Sequence, residues 1–370
     1  MTAEAFITLT FYLAVFLISV ALANLYQNSC RKGEVRGGFA EFLLRSAVVM
    51  PVALLVGLRG FDVGWDTFSM VHSYISDNYT LAYLLSSSHD PFSLIACKLL
   101  YVLLAGNATA VLFAFSFATL YILELAIIKW GDGVSLPLAL FVYYLYFACT
   151  GMDQMKQMLA LSILAYAAAC LVNGQRRSFF LLTIVAGLFH FTAFFGFAFY
   201  LFYLKDSKHP FLVSLLIVLC VVGTVFSDLL FSLLGWFFGE GAYSDYFTGR
   251  FAQQAQNAEG GTGLRFVLDV IPCLFPVLFW KKLPVSTRAL ILVSLIAVMP
   301  LRMLGYQSDF LGRLSYEPAL MIVFAYPLIY KGFSTRRGFA FALASCVLLL
   351  FYFYVAYSTG HGVVPYSLAF

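Results

Sequence analysis

Across 370 residues, hydrophobic side chains make up 62% of the composition, aromatics 18% and charged residues 11%, which excludes a water-soluble globule with a polar shell. The net charge of +4 is dispersed over short loops with no single patch, so it informs membrane topology and argues against nucleic acid as a partner. Seven cysteines, an odd number mostly within apolar runs and without a Cys-x-x-Cys pair, argue against a disulfide framework or a zinc site.

These properties predict one integral membrane domain over 1–370, an all-α polytopic protein. At roughly 20 residues per crossing the chain has room for about eleven to thirteen hydrophobic helices, short or re-entrant ones included. The first span, 5–26, carries Glu4 and no Lys or Arg ahead of it. It reads as an uncleaved helix that starts outside, although Ala21-Leu-Ala23 resembles a cleavage site. The basic loop Arg31–Arg36 then lies inside. Residues 40–58 return outward and deliver Gly57-Leu-Arg-Gly-Phe-Asp-Val-Gly-Trp-Asp66 to the outer surface. Arg59, Asp62 and Asp66 fall within eight residues of a chain poor in charge, so they either brace a loop or do chemistry.

Residues 67–90 are too polar to span but keep apolar residues at helical spacing, which predicts an interfacial helix within an outer loop 59–91. The run Phe92–Ala105, with Lys98 inside it, is short for a crossing and reads as a re-entrant or tilted helix on the outer side. Residues 108–128 go inward to Lys129, and 134–150 go outward to Asp153, Gln154, Lys156 and Gln157. A further span leads inward to Arg176 and Arg177. Residues 178–204 have basic residues at both ends, which predicts a hairpin whose tip, at His190, is recessed below the outer surface. Residues 211–238 run outward into the longest polar segment, 239–265. Spans at 266–280, 287–304, 314–330 and 339–357 complete the chain, with an outer turn at 305–313.

Cations on the outer side run against the positive-inside tendency and mark candidate anion contacts. Arg59, Arg250, Arg265 and Arg313 offer planar donor forks suited to phosphate. Lys156 lies in the first turn of its helix, at the positive end of the dipole, where a docked anion accounts for a cation. His190 is the ionisable group at membrane depth, a costly placement that tends to mark function, and a neutral imidazole suits a general base. Structural alternatives stand beside each reading: an internal ion network for Arg59, Asp62 and Asp66; a snorkelling Lys156; a hydrogen-bonded core histidine; solvated loop arginines; and Asp309 as the partner of Arg313. Asp62 and Asp66 lack the further clustered carboxylates of a metal site, so no metal or cofactor is expected.

Taken together, these residues resemble the EpsG-like branch of bacterial polysaccharide polymerases, related to the Wzy-type O-antigen polymerases. Arg59-Gly-Phe-Asp-Val-Gly-Trp-Asp66-Thr is similar to the family's Arg…Gly-x-Asp-Thr signature. His89-Asp-Pro91-Phe resembles its Glu-Pro-aromatic element, with Asp90 for Glu. Lys156-Gln157-x-x-Ala160 resembles Arg-Gln-x-x-Ala, with Lys for Arg. Phe189-His190-Phe-Thr and Gly312-Arg313-Leu-x-Tyr316 resemble two later elements.

The resemblance implies a GT-C-like membrane fold in the bacterial inner membrane. It implies transfer of a glycan from undecaprenyl pyrophosphate to a sugar hydroxyl of a lipid-linked repeat unit, facing the periplasm or exterior. In that reading Arg59, Lys156 and Arg313 stabilise the departing pyrophosphate, and His190, or Asp66 in its place, takes the hydroxyl proton. Asp62, Gln157, Tyr243, Tyr246, Arg250, Arg265 and Tyr316 contact substrate. The bilayer and the lipid-linked oligosaccharide are the implied partners, with a chain-length regulator as a further one. Other readings of the same groups are an O-antigen ligase-like or other polyprenyl-phosphate glycosyltransferase, a membrane O-acyltransferase, and a transporter of lipid-linked glycans.

Overall fold

The computed structural model describes residues 1–33, 37–75, 82, 90–131, 133–203, 210–238, 263–358 and 360–369. Helix accounts for 83% of the structure, with no strand among the described residues. Inside a bilayer no water is available to the backbone, so an apolar chain of this composition satisfies its amides within helices.

In chain order the helices are α1 (Ala3–Arg31), α2 (Gly38–Gly57), α3 (Trp65–Ser69) and α4 (Pro91–Leu103), then α5 (Ala108–Trp130), α6 (Leu136–Asp153), α7 (Met155–Val172) and α8 (Arg176–Phe189). They continue with α9 (Phe197–Phe202), α10 (Pro210–Val225), α11 (Ser227–Phe238), α12 (Leu264–Leu274) and α13 (Val285–Gly305). Three short helices, α14 (Asp309–Arg313), α15 (Tyr316–Ala319) and α16 (Ile322–Lys331), precede α17 (Thr335–Tyr357). Seven of these, α1, α2, α5, α6, α7, α13 and α17, are long and apolar enough to cross a membrane. The chain is an all-α, multi-pass membrane protein.

Several expected elements are subdivided. Residues 211–238 would extend about 42 Å as one straight helix, beyond a ~30 Å hydrocarbon core. The structure bends there by 90° between α10 and α11, where Ser227 and Asp228 interrupt the apolar run. The expected span 314–330 is broken by turns around Pro318, which lacks the amide a continuous helix needs. Within 178–204, helix α8 stops at Phe189, His190 is extended (φ −154°, ψ 123°), and a 3₁₀ segment covers Phe191–Gly196. Of the expected interfacial helix, Trp65–Ser69 is α-helical and Met70–Ile75 is π-helical, whereas 76–81 and 83–89 lie outside the described residues.

The chain divides into two compact units, Met1–Phe194 with Thr335–Phe370, and Phe195–Ser334. In the second unit, Leu304 and Leu311 form a small core with Leu230, Phe231, Leu234 and Leu314, and the Tyr326 hydroxyl donates to Pro272 O at 2.8 Å.

In the first unit, the ends of the helices sort by chemistry. At one end, the Tyr26 hydroxyl donates to Glu41 at 3.0 Å and accepts from Arg45 Nε at 2.9 Å, while Asn173 Nδ2 donates to Lys129 O at 2.8 Å. Arg31, Arg176, Arg336 and Arg337 belong to the helix termini at this end. The other end gathers the C-terminus of α2, all of α3, the start of α4, the α6–α7 junction, His190 and residues 360–369. The two long helices α2 and α5 approach closely at Gly57, where a Cβ would lie 2.4 Å from Phe113 Cα. Gly57→Val should therefore destabilise the fold by about 1–3 kcal/mol through overpacking, read as a lowered thermal midpoint in detergent. An unchanged midpoint would show that the two helices do not pack at this distance.

Candidate active site

The loop that follows α2 is built around a buried charge. Arg59 is 0% exposed. Its Nε donates to Val63 O at 3.3 Å, Nη2 to Thr67 Oγ1 at 3.2 Å, and Nη1 makes a short bond to Val56 O. Burial pushes the guanidinium down to about 10, opposed first by the charge of Asp153. The Thr67 hydroxyl in turn donates to Met152 O at 2.9 Å, and the Asp66 amide to Asp153 Oδ1 at 2.8 Å, so the loop is tied to the end of α6.

Residues 360–369 close the same loop from the other side. Gly60 N donates to Ser367 O at 2.8 Å, Gly64 N to Gly362 O at 2.8 Å, and Arg59 pairs with Leu368 in an isolated antiparallel bridge. The Ser367 hydroxyl donates to Asp62 Oδ1 at 2.6 Å. His361 Nδ1 lies 2.8 Å from Asp153 Oδ2.

A second cluster lies at the same end of this unit. Asp90, just before the proline that opens α4, receives Lys156 Nζ at 3.0 Å on Oδ2 and the Phe191 amide at 3.1 Å on Oδ1. His190 Nδ1 sits 2.8 Å from Thr192 Oγ1, which also accepts from Gln157 Nε2 at 3.2 Å. Ser93 Oγ bonds Phe189 O and anchors the start of α4 to the end of α8. Burial alone raises the Asp90 carboxyl, but Lys156 first and then His190 outweigh it and hold the carboxyl below its usual value. The early stop of α8, after about 21 Å of helix, is what brings His190 here.

The candidates from sequence are thus distributed. Lys156, Gln157 and His190 meet around Asp90 and Thr192. Arg59, expected either to brace the loop or to touch the pyrophosphate, is fully buried with its donors facing carbonyl and hydroxyl oxygens, which accords with the bracing reading. Gln157, expected to touch substrate, is 1% exposed and donates to Thr192. Asp62 is exposed and bonded to Ser367, and Asp66 is half-buried on α3. In the second unit, Arg313 ends α14, Arg265 is exposed on α12, and Tyr316 is buried beneath Arg302, whose guanidinium is 4.8 Å from the ring centroid. Tyr243, Tyr246 and Arg250 lie outside the described residues. Missed altogether as site residues were Asp153, Thr192 and His361. The signal for His361 was a histidine between two glycines directly after the last span, in a chain with five histidines.

The Asp90–Lys156 pair carries a pH signature. A carboxyl depressed in the folded state adds stability that is complete above its unfolded value, about 3.9, and is lost as pH falls through the lower folded value. Asp90→Asn should cost about 1–3 kcal/mol at neutral pH, with the difference from wild type shrinking on acidification through that window. Thermal unfolding in nanodiscs at stepped pH measures this, and a difference that stays constant into strong acid would remove the ionic pairing.

No curated protein and no solved structure matches this chain. The EpsG family model matches residues 42–368, which takes in the Arg59 loop, Asp90, Lys156, His190, Arg313 and His361. With the match spanning most of the sequence, this multi-pass membrane protein belongs to the EpsG family of polysaccharide polymerases.

Proposed function

We propose that the chain transfers a growing glycan from a polyprenyl pyrophosphate, undecaprenyl pyrophosphate in bacteria, to a hydroxyl of a lipid-linked repeat unit at the outer face of the inner membrane. The carrying observation is the hydrogen-bonded cluster of Asp90, Lys156, Gln157, His190 and Thr192, assembled from segments far apart in sequence. The sorting of basic termini to the opposite end of this unit supports the outward orientation.

In this mechanism the His190 Nδ1–H donates to Thr192 Oγ1, which leaves the Nε2 lone pair for the acceptor hydroxyl. Nε2 takes the hydroxyl proton as the acceptor oxygen forms its bond to the anomeric carbon. The bond from that carbon to the pyrophosphate oxygen breaks, and its electron pair leaves with the lipid pyrophosphate. Lys156 Nζ, held by Asp90, stabilises that developing charge. The proton then passes from His190 to the pyrophosphate or to water. Gln157 fixes Thr192, and Arg59 fixes the loop. The resemblance also proposes Arg265, Arg313, Tyr316, Arg250, Tyr243 and Tyr246 for phosphate or glycan binding, and Asp66 as the reserve base.

Purified protein given lipid-linked repeat units should produce a ladder of longer glycans. His190→Ala should cut the rate by about 10²–10⁴ while lipid-linked substrate still binds. Lys156→Arg should keep activity and Lys156→Ala lose about 10² or more. Normal ladders from His190→Ala would take the base role from it, and repeat units moved across a vesicle unchanged would favour a transporter. For orientation, cysteines placed singly at positions 62 and 32 in a background without native cysteines should differ. An impermeant maleimide on intact cells should label 62 and spare 32, and the opposite pattern would invert the site.

A further inference from the structure

A flat aromatic surface and an oriented imidazole lie side by side where the Arg59 loop meets the C-terminal segment. Trp65 opens α3 and is 68% exposed, although it is one of four tryptophans in an apolar chain. Its indole stacks on the His361 ring with centroids 6.2 Å apart and an interplanar angle of 27°, and its backbone amide donates to His361 O at 3.2 Å. Tyr357 lies on the same imidazole with centroids 5.6 Å apart.

The backbone is shaped for this contact. His361 has φ +65°, a conformation few side-chain-bearing residues adopt, and Gly362 follows at φ +61°. A Cβ on Gly362 would lie 2.4 Å from Trp65 Cδ1, so only glycine lets the indole settle against the tail.

The hydrogen bonds orient the imidazole. Asp153, 3% exposed at its side chain, accepts the Asp66 amide on one oxygen and faces His361 Nδ1 with the other. With Nδ1–H on the carboxylate, Nε2 of the neutral ring carries the lone pair, and the side chain keeps 20% of its surface open. Charge narrows the ligand. Asp66 and Asp153 are here, and the nearby cation, Arg59, is enclosed. An anion is disfavoured. A neutral polyol with one apolar face and a rim of hydroxyls matches an exposed indole beside a hydroxyl acceptor.

We infer that Trp65, His361 and Asp153 form a saccharide subsite in which the indole stacks on a pyranose ring of the acceptor glycan, and His361 Nε2 accepts a hydroxyl hydrogen from it. The acceptor assignment rests on the polymerase reading. Saccharide recognition itself does not.

Two measurements separate these. In the first, the full chain in nanodiscs is tested with methyl glycosides of the common hexoses and N-acetylhexosamines and with fragments of the host's own polymer, by saturation-transfer NMR. Saturable binding is expected, weakened about tenfold or more in Trp65→Leu and His361→Asn and retained in Trp65→Phe. No saturable binding with any probe, or equal affinity in Trp65→Leu, overturns the subsite and leaves Trp65 as an interfacial anchor. In the second, the ladder assay with lipid-linked repeat units should give an acceptor KM raised about tenfold in Trp65→Leu with kcat changed less than about threefold. Wild-type protein that makes no ladder but binds glycosides sinks the polymerase reading and keeps the subsite. Ladders with an unchanged KM in both Trp65→Leu and His361→Asn do the reverse.

Discussion

A guanidinium with no exposed surface is the constraint on which this end of the protein depends. Removing Arg59 from water is costly unless its donors are met. They are met by Val56 O at the end of α2, Val63 O in the loop and the Thr67 hydroxyl on α3. Holding these acceptors fixes the turn from α2 into α3. It also directs the Thr67 hydroxyl and the Asp66 amide at the end of α6, and Asp153 there supplies the compensating charge. Because Asp153 also holds His361, one buried cation organises a loop, a helix end and the C-terminal segment. In a chain with so few charges, these groups have few alternative partners.

Two histidines are oriented in this unit, and their partners differ. His190 faces a hydroxyl, His361 a carboxylate. The Thr192 hydroxyl can set the tautomer of His190, whose ring also lies close enough to the Asp90 carboxylate to act on its charge. A carboxylate fixes ring orientation more firmly, which suits recognition. The lysine beside His190 is held by Asp90 at 3.0 Å. In the proposed reaction a pyrophosphate would meet a cation already oriented, which lowers the reorganisation needed as charge develops.

Much of the fold was legible from hydropathy and the distribution of basic residues. The boundaries expected for α1, α2, α5, α7 and α17 follow apolar runs interrupted by charge. The 90° break after Val225 was less legible, because the run is apolar almost throughout and one serine–aspartate pair marks the bend. The burial of Arg59 was not legible for a related reason. The sequence left it either as a loop brace or as a phosphate contact, and burial is a property of what packs over it.

Composition by itself determined that the chain lies in a membrane as helices, since a backbone without water must bond internally. Local sequence determined which ends carry polar groups and which motifs carry the family resemblance. Only the tertiary structure decided which polar groups meet. Asp90 and Lys156, Gln157 and Thr192, Asp153 and His361 pair across long stretches of chain, and no periodicity encodes such pairs. They form because, at the end of an apolar bundle, a carboxylate or cation without a partner is too costly to leave alone.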